Sequence, residues 1–330
     1  MIKQATPHTL SEAATLLRDG ALVAFPTETV YGLGADATKS DAVAKIYALK
    51  KRPSFNPLIC HVATIEQAER IAIFNARARL LAQSFWPGPL TMVLPIHPDG
   101  TLSDLVTAGL KTVAVRIPSH PVALDLLHLV DRPIAAPSAN MSGTVSPTSA
   151  LHVADSFGHD APFILAGGSS TIGLESTIID ASNECVTLLR PGHITLEDLA
   201  LYVPDITKAK SDNPETITAP GQMARHYATH TPLRLNAVDV KAGEALLAFG
   251  SLKFMGAQDH GFAKDMPAHL MRNLSADGDL SEAAANLFRM MRDLDQAGAT
   301  SIAVMAIPDH AVGIAINDRL RRAAIQEDTQ

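Results

Sequence analysis

The chain is poor in the residues that staple small folds or hold metal ions. Its 330 residues include only two cysteines. Cys60 and Cys185 lie far apart, with no C-x-x-C pair and no Cys/His ligand spacing, which excludes a disulfide framework and a structural zinc site. Both are expected to be small core residues. Aromatic residues make up 5% of the chain, with a single tryptophan. No stretch reaches the ~18 consecutive apolar residues of a membrane span, and the opening MIKQATPHTLSEAATLLRDG lacks a charged-then-apolar layout. A cytoplasmic location without membrane contact is expected. Charge is also scarce. Charged residues account for 18%, below the roughly 25% of an average domain, whereas 47% are hydrophobic. That excludes wholesale disorder and supplies a sizeable core. With 27 Lys plus Arg against 34 Asp plus Glu, the net charge of -7 disfavours a surface that holds nucleic acid by charge alone. An anionic ligand therefore needs a local cationic pocket.

What is present is an alternation of strand-like and helix-like patterns over the first 200 residues or so. Thr9-Leu10-Ser11-Glu12 predicts a capping box, with Gly20 closing that helix. Ala21 to Phe25 reads as a strand stopped by Pro26, Ser40 to Lys50 as a helix, Leu58 to Val62 as a strand, and Ile65 to Phe85 as helical. Trp86-Pro87-Gly88-Pro89 forces a turn. Leu90 to Leu94, Thr112 to Ile117, Ile134 to Pro137, Phe163 to Leu165, Thr177 to Asp180 and Val186 to Leu189 are predicted strands. Pro121 to Val130 is a predicted helix, and another follows Pro147. The pattern predicts an α/β fold: an open twisted mixed sheet with flanking helices over residues 1–203. Residues 204–232, rich in Pro, Asp, Ser and Gly, read as a linker. Residues 233–330 form a smaller α/β unit, Rossmann-like in pattern, with strands at Ala245 to Phe249 and Ser301 to Ile307 and helices at Leu280 to Ala297 and Ala315 to Ile325.

Four polar clusters interrupt the apolar strands, and each falls where a strand ends, the edge at which open α/β sheets collect ligands. The first is Pro26 to Gly34, a hydroxyl-rich loop with two glycines that is neither a G-x-G-x-x-G nor a Walker motif. Lys50-Lys51-Arg52-Pro53 with Asn56 forms the second, where a lysine and an arginine two apart suit different oxygens of a polyphosphate. In the third, Thr112 to Pro118, alternation puts Val113, Val115 and Ile117 on one face and Thr112, Ala114 and Arg116 on the other. An arginine there needs an anion or solvent. The same alternation turns His61 away from Cys60, which argues against a shared metal site. The fourth, Ala135 to Gly143 followed by Ser146-Pro147-Thr148, offers small residues for close approach and hydroxyl or amide groups at Ser138, Asn140 and Ser146. Ser146 with Pro147 also reads as a helix cap. Glu175-Ser176-Thr177 and Arg190-Pro191-Gly192 repeat the theme. The set suits a nucleoside triphosphate beside a small polar metabolite, and it contains no Ser/His/Asp triad, paired-carboxylate signature or H-E-x-x-H motif.

PTETVYGLG (Pro26 to Gly34), KKRP with NPL, LICHV, WPGPLT, VAVRIP, APSAN, SPT, ESTI and RPG, in this order and spacing, resemble the threonylcarbamoyl-AMP synthases of the YrdC-like superfamily. His226-Tyr227 and the stretch Asn317 to Ala324 look like the long, two-domain form, so the resemblance covers nearly the whole chain. It implies a nucleotidyltransferase that joins L-threonine, bicarbonate and ATP into threonylcarbamoyl-AMP and pyrophosphate. A separate tRNA threonylcarbamoyl transferase then passes the group to adenosine 37 of tRNAs reading codons that start with A, so tRNA is only an indirect partner. By the same resemblance, Thr29, His61, Arg116, Ala136 (through its backbone) and Ser176 would hold threonine. Lys50, Arg52, Asn56, Thr112, Ser138, Asn140, Ser146, Arg190 and Tyr227 would hold ATP. Mg²⁺ would arrive with ATP, held mainly by phosphates and not by protein side chains. Arg225, His226 and Tyr227 are expected to fold over the pocket and exclude water. Thr229 stands where the family often has a proline. A double-stranded RNA-binding module is the competing class, disfavoured by charge and by the low aromatic content. A carbamoyl-transfer domain of the hydrogenase-maturation type is disfavoured by the lack of acylphosphatase and zinc-finger segments.

Overall fold

The computed structural model describes residues 1–209, 226–252 and 266–325. Contacts divide them into two units. In chain order the first contains β1 (Ile2–Gln4), α1 (Pro7–Arg18), β2 (Val23–Phe25), β3 (Gly32–Asp36), α2 (Ser40–Lys50), β4 (Ile59–His61), α3 (Ile65–Glu69) and α4 (Ala76–Phe85). It continues with β5 (Leu90–Pro95), α5 (Asp104–Thr107), β6 (Thr112–Arg116), α6 (Pro121–Val130), β7 (Ile134–Ala135) and α7 (Ala150–Phe157). β8 (Phe163–Ala166), β9 (Thr177–Asp180), β10 (Thr187–Arg190), α8 (Leu196–Ala200) and β11 (Thr207–Lys208) complete it.

Its strands form one mixed sheet in the order β1-β8-β2-β3-β7-β4-β6-β5-β9-β10-β11. The period-2 pattern decides what each face carries. Cys60, Val113, Val115, Met92 and Ile179 turn into the main core, packed with Ile46, Leu81 and Ala82 of α2 and α4. A second core on α1 and α6 joins Leu10, Ala13, Leu17, Leu126 and Leu127 to Phe25, Ile134 and Ala136. Burial at three- and four-residue intervals in α1 is what makes this stretch a helix packed on the sheet.

Several local expectations are corrected. The cap of α1 is Thr6, not Thr9. The Thr6 hydroxyl accepts the Thr9 amide at 3.2 Å and Thr9 Oγ1 accepts the Thr6 amide at 2.9 Å, because Pro7 suits the first helical turn. The stretch Ile65 to Phe85 is two helices. Residues 71–73 between them pair with the end of β5, Ile73 N–H donating to Pro95 O at 2.8 Å and His97 N–H to Ile71 O at 3.0 Å, and Asn75 caps the second helix. Ser149, not Ser146, caps α7. Cys60 is buried as expected, but Cys185 is exposed, in the turn that reverses the chain between the antiparallel strands β9 and β10. Within the expected linker, β11 adds to the sheet beside β10, while 210–225 lie outside the described residues.

The second unit comprises 226–252 and 266–325 and also takes in two short stretches of earlier chain, 143–145 and 172–174. Its strands are β12 (Leu233–Arg234), β13 (Glu244–Ala248), β14 (Met271–Asn273) and β15 (Ser301–Val304), all parallel in the order β12-β15-β13-β14. With α9 (Leu280–Asp295) and α10 (Val312–Ala323) this is the Rossmann-like pattern read from sequence. The earlier stretches are built in firmly. Ala228 N–H donates to Gly143 O at 2.8 Å, the Arg292 guanidinium donates to Val145 O, and a Cβ on Gly173 would lie 2.6 Å from Ala284 O. No helix among the described residues is long and apolar enough to cross a membrane.

Candidate active site

Strand register assembles the site. β4 and β6 run parallel with Ile59 opposite Ala114 and His61 opposite Arg116, while antiparallel β5 places Val93 opposite Ala114. β5 and β9 put Thr91 opposite Ile178. Residues paired in this way share a face, and Ile59, Val93, Ala114 and Ile178 form a small buried cluster there. The polar residues therefore share one face of the central strands and sit at strand ends, His61 closing β4, Arg116 closing β6 and Arg190 closing β10, which is the strand-end position read from the sequence. β7 itself is two residues long, and the chain beyond it stays tied to its neighbours, Gly32 bridging Ser138 in the same antiparallel register.

Arg116 is almost fully buried, at 3% exposure. Its anion partner is supplied by the chain: Nη2 donates to Glu28 Oε1 at 2.6 Å, Nη1 to Thr29 Oγ1 at 2.9 Å and Nε to Gly88 O at 3.1 Å. Burial pushes the Glu28 carboxyl up, but the Arg116 charge and hydrogen bond, with backbone N–H groups of Glu28 and Ser119, outweigh it and hold the group below its ordinary range. Beside this pair, burial and then the Arg116 charge push the His61 imidazole down to about 3 against the opposing pull of Glu28, so the ring is neutral. Thr27 Oγ1 lies 2.8 Å from Thr29 Oγ1 and donates to Val30 O, which fixes the loop.

The turn after α4 links this group to the next. Gly88 O receives Arg116, and Pro89 O receives the Thr177 amide at 2.9 Å. Ser176, just before β9, has its hydroxyl 2.7 Å from Thr91 Oγ1, and Arg190 donates from Nη2 to Ser176 O at 2.9 Å and to Ser176 Oγ at 3.2 Å. The glycine of the RPG motif is explained by this approach, since a Cβ on Gly192 would sit 2.4 Å from the Thr177 nitrogen. Ser146 Oγ donates to Glu175 Oε1 at 2.5 Å.

Lys50 ends α2 fully buried, its Nζ donating to Ser138 O at 2.7 Å and to Asn140 O. Burial and then the neighbouring Arg52 charge push its ammonium well below the usual lysine range. Among the described residues no carboxylate pairs with it, so an anionic ligand would be the natural counter-charge. Arg52 donates to Asn56 O and Pro57 O, holding the turn of the second cluster. The loops are mutually tied: Ala139 N–H donates to Tyr31 O, Tyr31 N–H to Pro147 O and Leu33 N–H to Pro137 O, each at 2.8 Å.

The structure thus interlocks Thr29, Arg116, Ser176 and Arg190, with His61 in register, and separately Lys50, Ser138 and Asn140, with Arg52 beside them. Ala136 joins them through its backbone, its N–H donating to Ile59 O at 2.9 Å. Thr112 begins β6, four residues or roughly 13 Å from Arg116, and its side chain makes no hydrogen bond among the described residues. Tyr227 lies in the second unit, buried, its ring stacked at 5.3 Å on Phe288 with the Arg319 guanidinium 5.6 Å away. Of the expected lid, Arg225 lies outside the described residues, and Thr229 closes a local turn by donating to Thr231 O. Sequence reasoning missed Glu28, Glu175 and Thr91. The signal for Glu28 was available, because a buried strand arginine requires an anion and Glu28 stands next to the site threonine Thr29. A separate cavity of about 610 Å³, lined by Arg70, His97, Asp131 and Arg132 among others, contains none of the predicted site residues. Among the described residues no group of three or more His, Cys, Asp or Glu side chains is placed to hold a metal ion.

A mixed α/β sheet with buried cations and hydroxyls over its central strands defines a ligand-binding enzyme fold, and comparison with known proteins specifies which. The family model described as "Telomere recombination" matches residues 15–192, and the one described as "Threonylcarbamoyl-AMP synthase, C-terminal domain" matches residues 194–325. The threonylcarbamoyl-AMP synthase of Bacillus subtilis is 41% identical over 321 residues, covering 96% of this chain and 92% of that protein. That of Pyrococcus abyssi is 41% identical over 324 residues, covering 94% and 93%. A crystal structure of P. abyssi Sua5 complexed with L-threonine superposes with a TM-score of 0.86 at 38% identity, covering 98% of this chain and 97% of that one. The chain belongs to the threonylcarbamoyl-AMP synthase family.

Proposed function

We propose that this chain is an L-threonylcarbamoyladenylate synthase, a nucleotidyltransferase that makes threonylcarbamoyl-AMP and pyrophosphate from L-threonine, bicarbonate and ATP. A separate transferase then delivers the product to adenosine 37 of tRNAs reading codons that start with A. The first unit would carry the chemistry, with the second as a supporting domain. The observation that carries the reading is that loops tied to one another hold both an oriented Arg116 and a buried Lys50 that has no carboxylate partner among the described residues. It suits a carboxylate beside a polyphosphate, and the L-threonine complex of P. abyssi Sua5 supports threonine as the carboxylate.

In chemical terms, the threonine amine nitrogen bonds to the bicarbonate carbon, and hydroxide leaves with an amine proton as water. A carbamate oxygen then attacks the α-phosphorus of ATP, and the bond to pyrophosphate breaks. No protein nucleophile is needed, so the work of the chain is alignment and charge stabilisation. Arg116 binds the threonine carboxylate, with Thr29, neutral His61, Ser176 and the Ala136 backbone around it. Lys50, Arg52 and Arg190 face the phosphates, with Asn56, Thr112, Ser138, Asn140 and Ser146 completing the nucleotide site. The phosphate side is cationic and not carboxylate-rich, which fits Mg²⁺ held by phosphate oxygens, where it neutralises their charge. The test is pyrophosphate release with ATP, Mg²⁺, bicarbonate and threonine, with the adenylate detected by mass. Release that persists without threonine or bicarbonate refutes the reading.

A further inference from the structure

Arg116 has five N–H groups, and the described contacts use three of them. Gly88 O takes Nε–H, Thr29 Oγ1 takes one hydrogen of Nη1, and Glu28 Oε1 takes one of Nη2. One hydrogen remains on each terminal nitrogen, the number that a two-oxygen carboxylate requires. Glu28 is therefore one of three fixed points that set the guanidinium plane. It is also the only one of the three that carries charge. Its Oε2 is enclosed without a hydrogen-bond partner, so it does not reach out to a ligand and acts through Arg116. The titratable neighbours of this pair are His61, opposite Arg116 in the β4–β6 register, and half-buried His120, which feels the Glu28 charge.

We propose that Glu28 is a positioning residue that both aims Arg116 and cancels its charge, leaving the carboxylate end of the amino-acid pocket without surplus charge and so making it more selective for a zwitterion over an anion of the same shape than Arg116 alone would be. Arg190, which donates to Ser176, belongs in this reading to the phosphate side. This rests on the threonine reading above. Arg116 alone would favour any carboxylate. Paired with a buried Glu28 and beside a neutral imidazole, it offers two donors with no surplus charge, and a ligand of net charge -1 then gains less, relative to one of net charge zero, than Arg116 alone would give it.

The probe is the pair L-threonine and 3-hydroxybutyrate, the latter being threonine without its amino group. Calorimetric titration of the full chain gives the ratio of their dissociation constants. Glu28→Gln keeps an oxygen acceptor for Nη2 but removes the charge, and the preference for threonine should shrink by about tenfold to hundredfold, the scale of one unit charge at short range in a protein interior. Glu28→Asp, which keeps the charge but shortens the side chain that aims Arg116, should weaken both ligands and leave the ratio near the wild-type value. An unchanged ratio in Glu28→Gln overturns the proposal, as does an equal change in both variants. If the Gln variant does not fold, the wild-type protein decides. Threonine binding at pH 7, followed in two buffers of different ionisation enthalpy, should take up no net proton, and uptake of about one proton overturns the charge balance. Wild-type protein that binds no threonine overturns the substrate reading and the inference with it, whereas tight threonine binding with an unmoved ratio removes the inference alone.

Discussion

Two sets of buried charge, one in each unit, are served in opposite ways. In the second, Glu244 is satisfied from every side: Arg234 donates from Nε at 2.8 Å and from Nη2 at 2.5 Å, Ser301 Oγ at 2.8 Å and the Lys241 amide at 2.8 Å. Asp295 likewise receives the amides of His230 and Thr231. In the first unit, among the described residues, Lys50 rests on two carbonyls with no carboxylate, and Glu28 and His61 each keep one enclosed atom without a partner. A buried polar group that is fully paired serves the fold. One left short is costly, and that cost is tolerated where a ligand completes the set. The contrast separates the Glu244 cluster, as scaffold, from the Lys50 and Glu28 clusters, as site, without reference to any relative.

The largest expected effect would break this comparison if it failed. Lys50→Met removes a buried ammonium and replaces it with an apolar chain of similar length. Threonine-dependent pyrophosphate release should fall by about a hundredfold or more, as for loss of a charge that stabilises a transition state. The melting temperature, measured by calorimetry, should hold or rise, because desolvating an unpaired charge costs stability. A variant that melts far lower while keeping its turnover would make Lys50 a structural residue.

Glu244→Gln should do the reverse. Losing the charge that meets Arg234 should destabilise the protein by roughly 1–3 kcal/mol in urea unfolding at neutral pH, with pyrophosphate release per folded molecule unchanged. The Arg234 hydrogen bonds, outweighing burial, bring the Glu244 carboxyl down to about 2. A depressed carboxylate stabilises above its unfolded pKa, and that contribution is lost as pH falls through the folded value. The gap between wild type and variant should therefore close between about pH 4.5 and about 2. A gap that stays constant over that window would show that shape, not charge, holds the strand.

Much of this contrast was legible in the sequence. Alternation placed Val113 and Val115 in the core and Arg116 on the other face, and turned His61 from Cys60, because the period of a strand is a local property. The helices Ser40–Lys50 and Pro121–Val130 were readable to the residue from their punctuation. What could not be read were facts of tertiary pairing. The break at 71–73 depends on β5 lying alongside, and the partnership of Arg116 with Glu28 spans 88 positions. The inclusion of 143–145 and 172–174 in the second unit also has no local signature, although Gly173, with φ of +73° and a helix backbone 2.6 Å from where its Cβ would be, shows why a glycine stands there.

The smallest effect sharpens the comparison through acid. Buried neutral His61 titrates at about 3 in the folded first unit, against about 6.5 for a free imidazole. Between those values the unfolded chain binds more protons than the folded one, so stability rises with pH across the window. The contribution is full above about pH 6.5 and drains away as pH falls towards 3. Acid should therefore begin to weaken the first unit about two pH units before the Glu244 contribution fades from the second. His120, half-buried and also lowered by burial, acts in the same direction, so a single substitution removes only part of the slope. The check is urea unfolding of wild type and His61→Asn at pH 7 and pH 5: the drop in midpoint between the two should be smaller in the variant. Equal drops would mean that His61 is protonated as readily in the fold as outside it, and the neutral imidazole on which the site's charge balance depends would be lost.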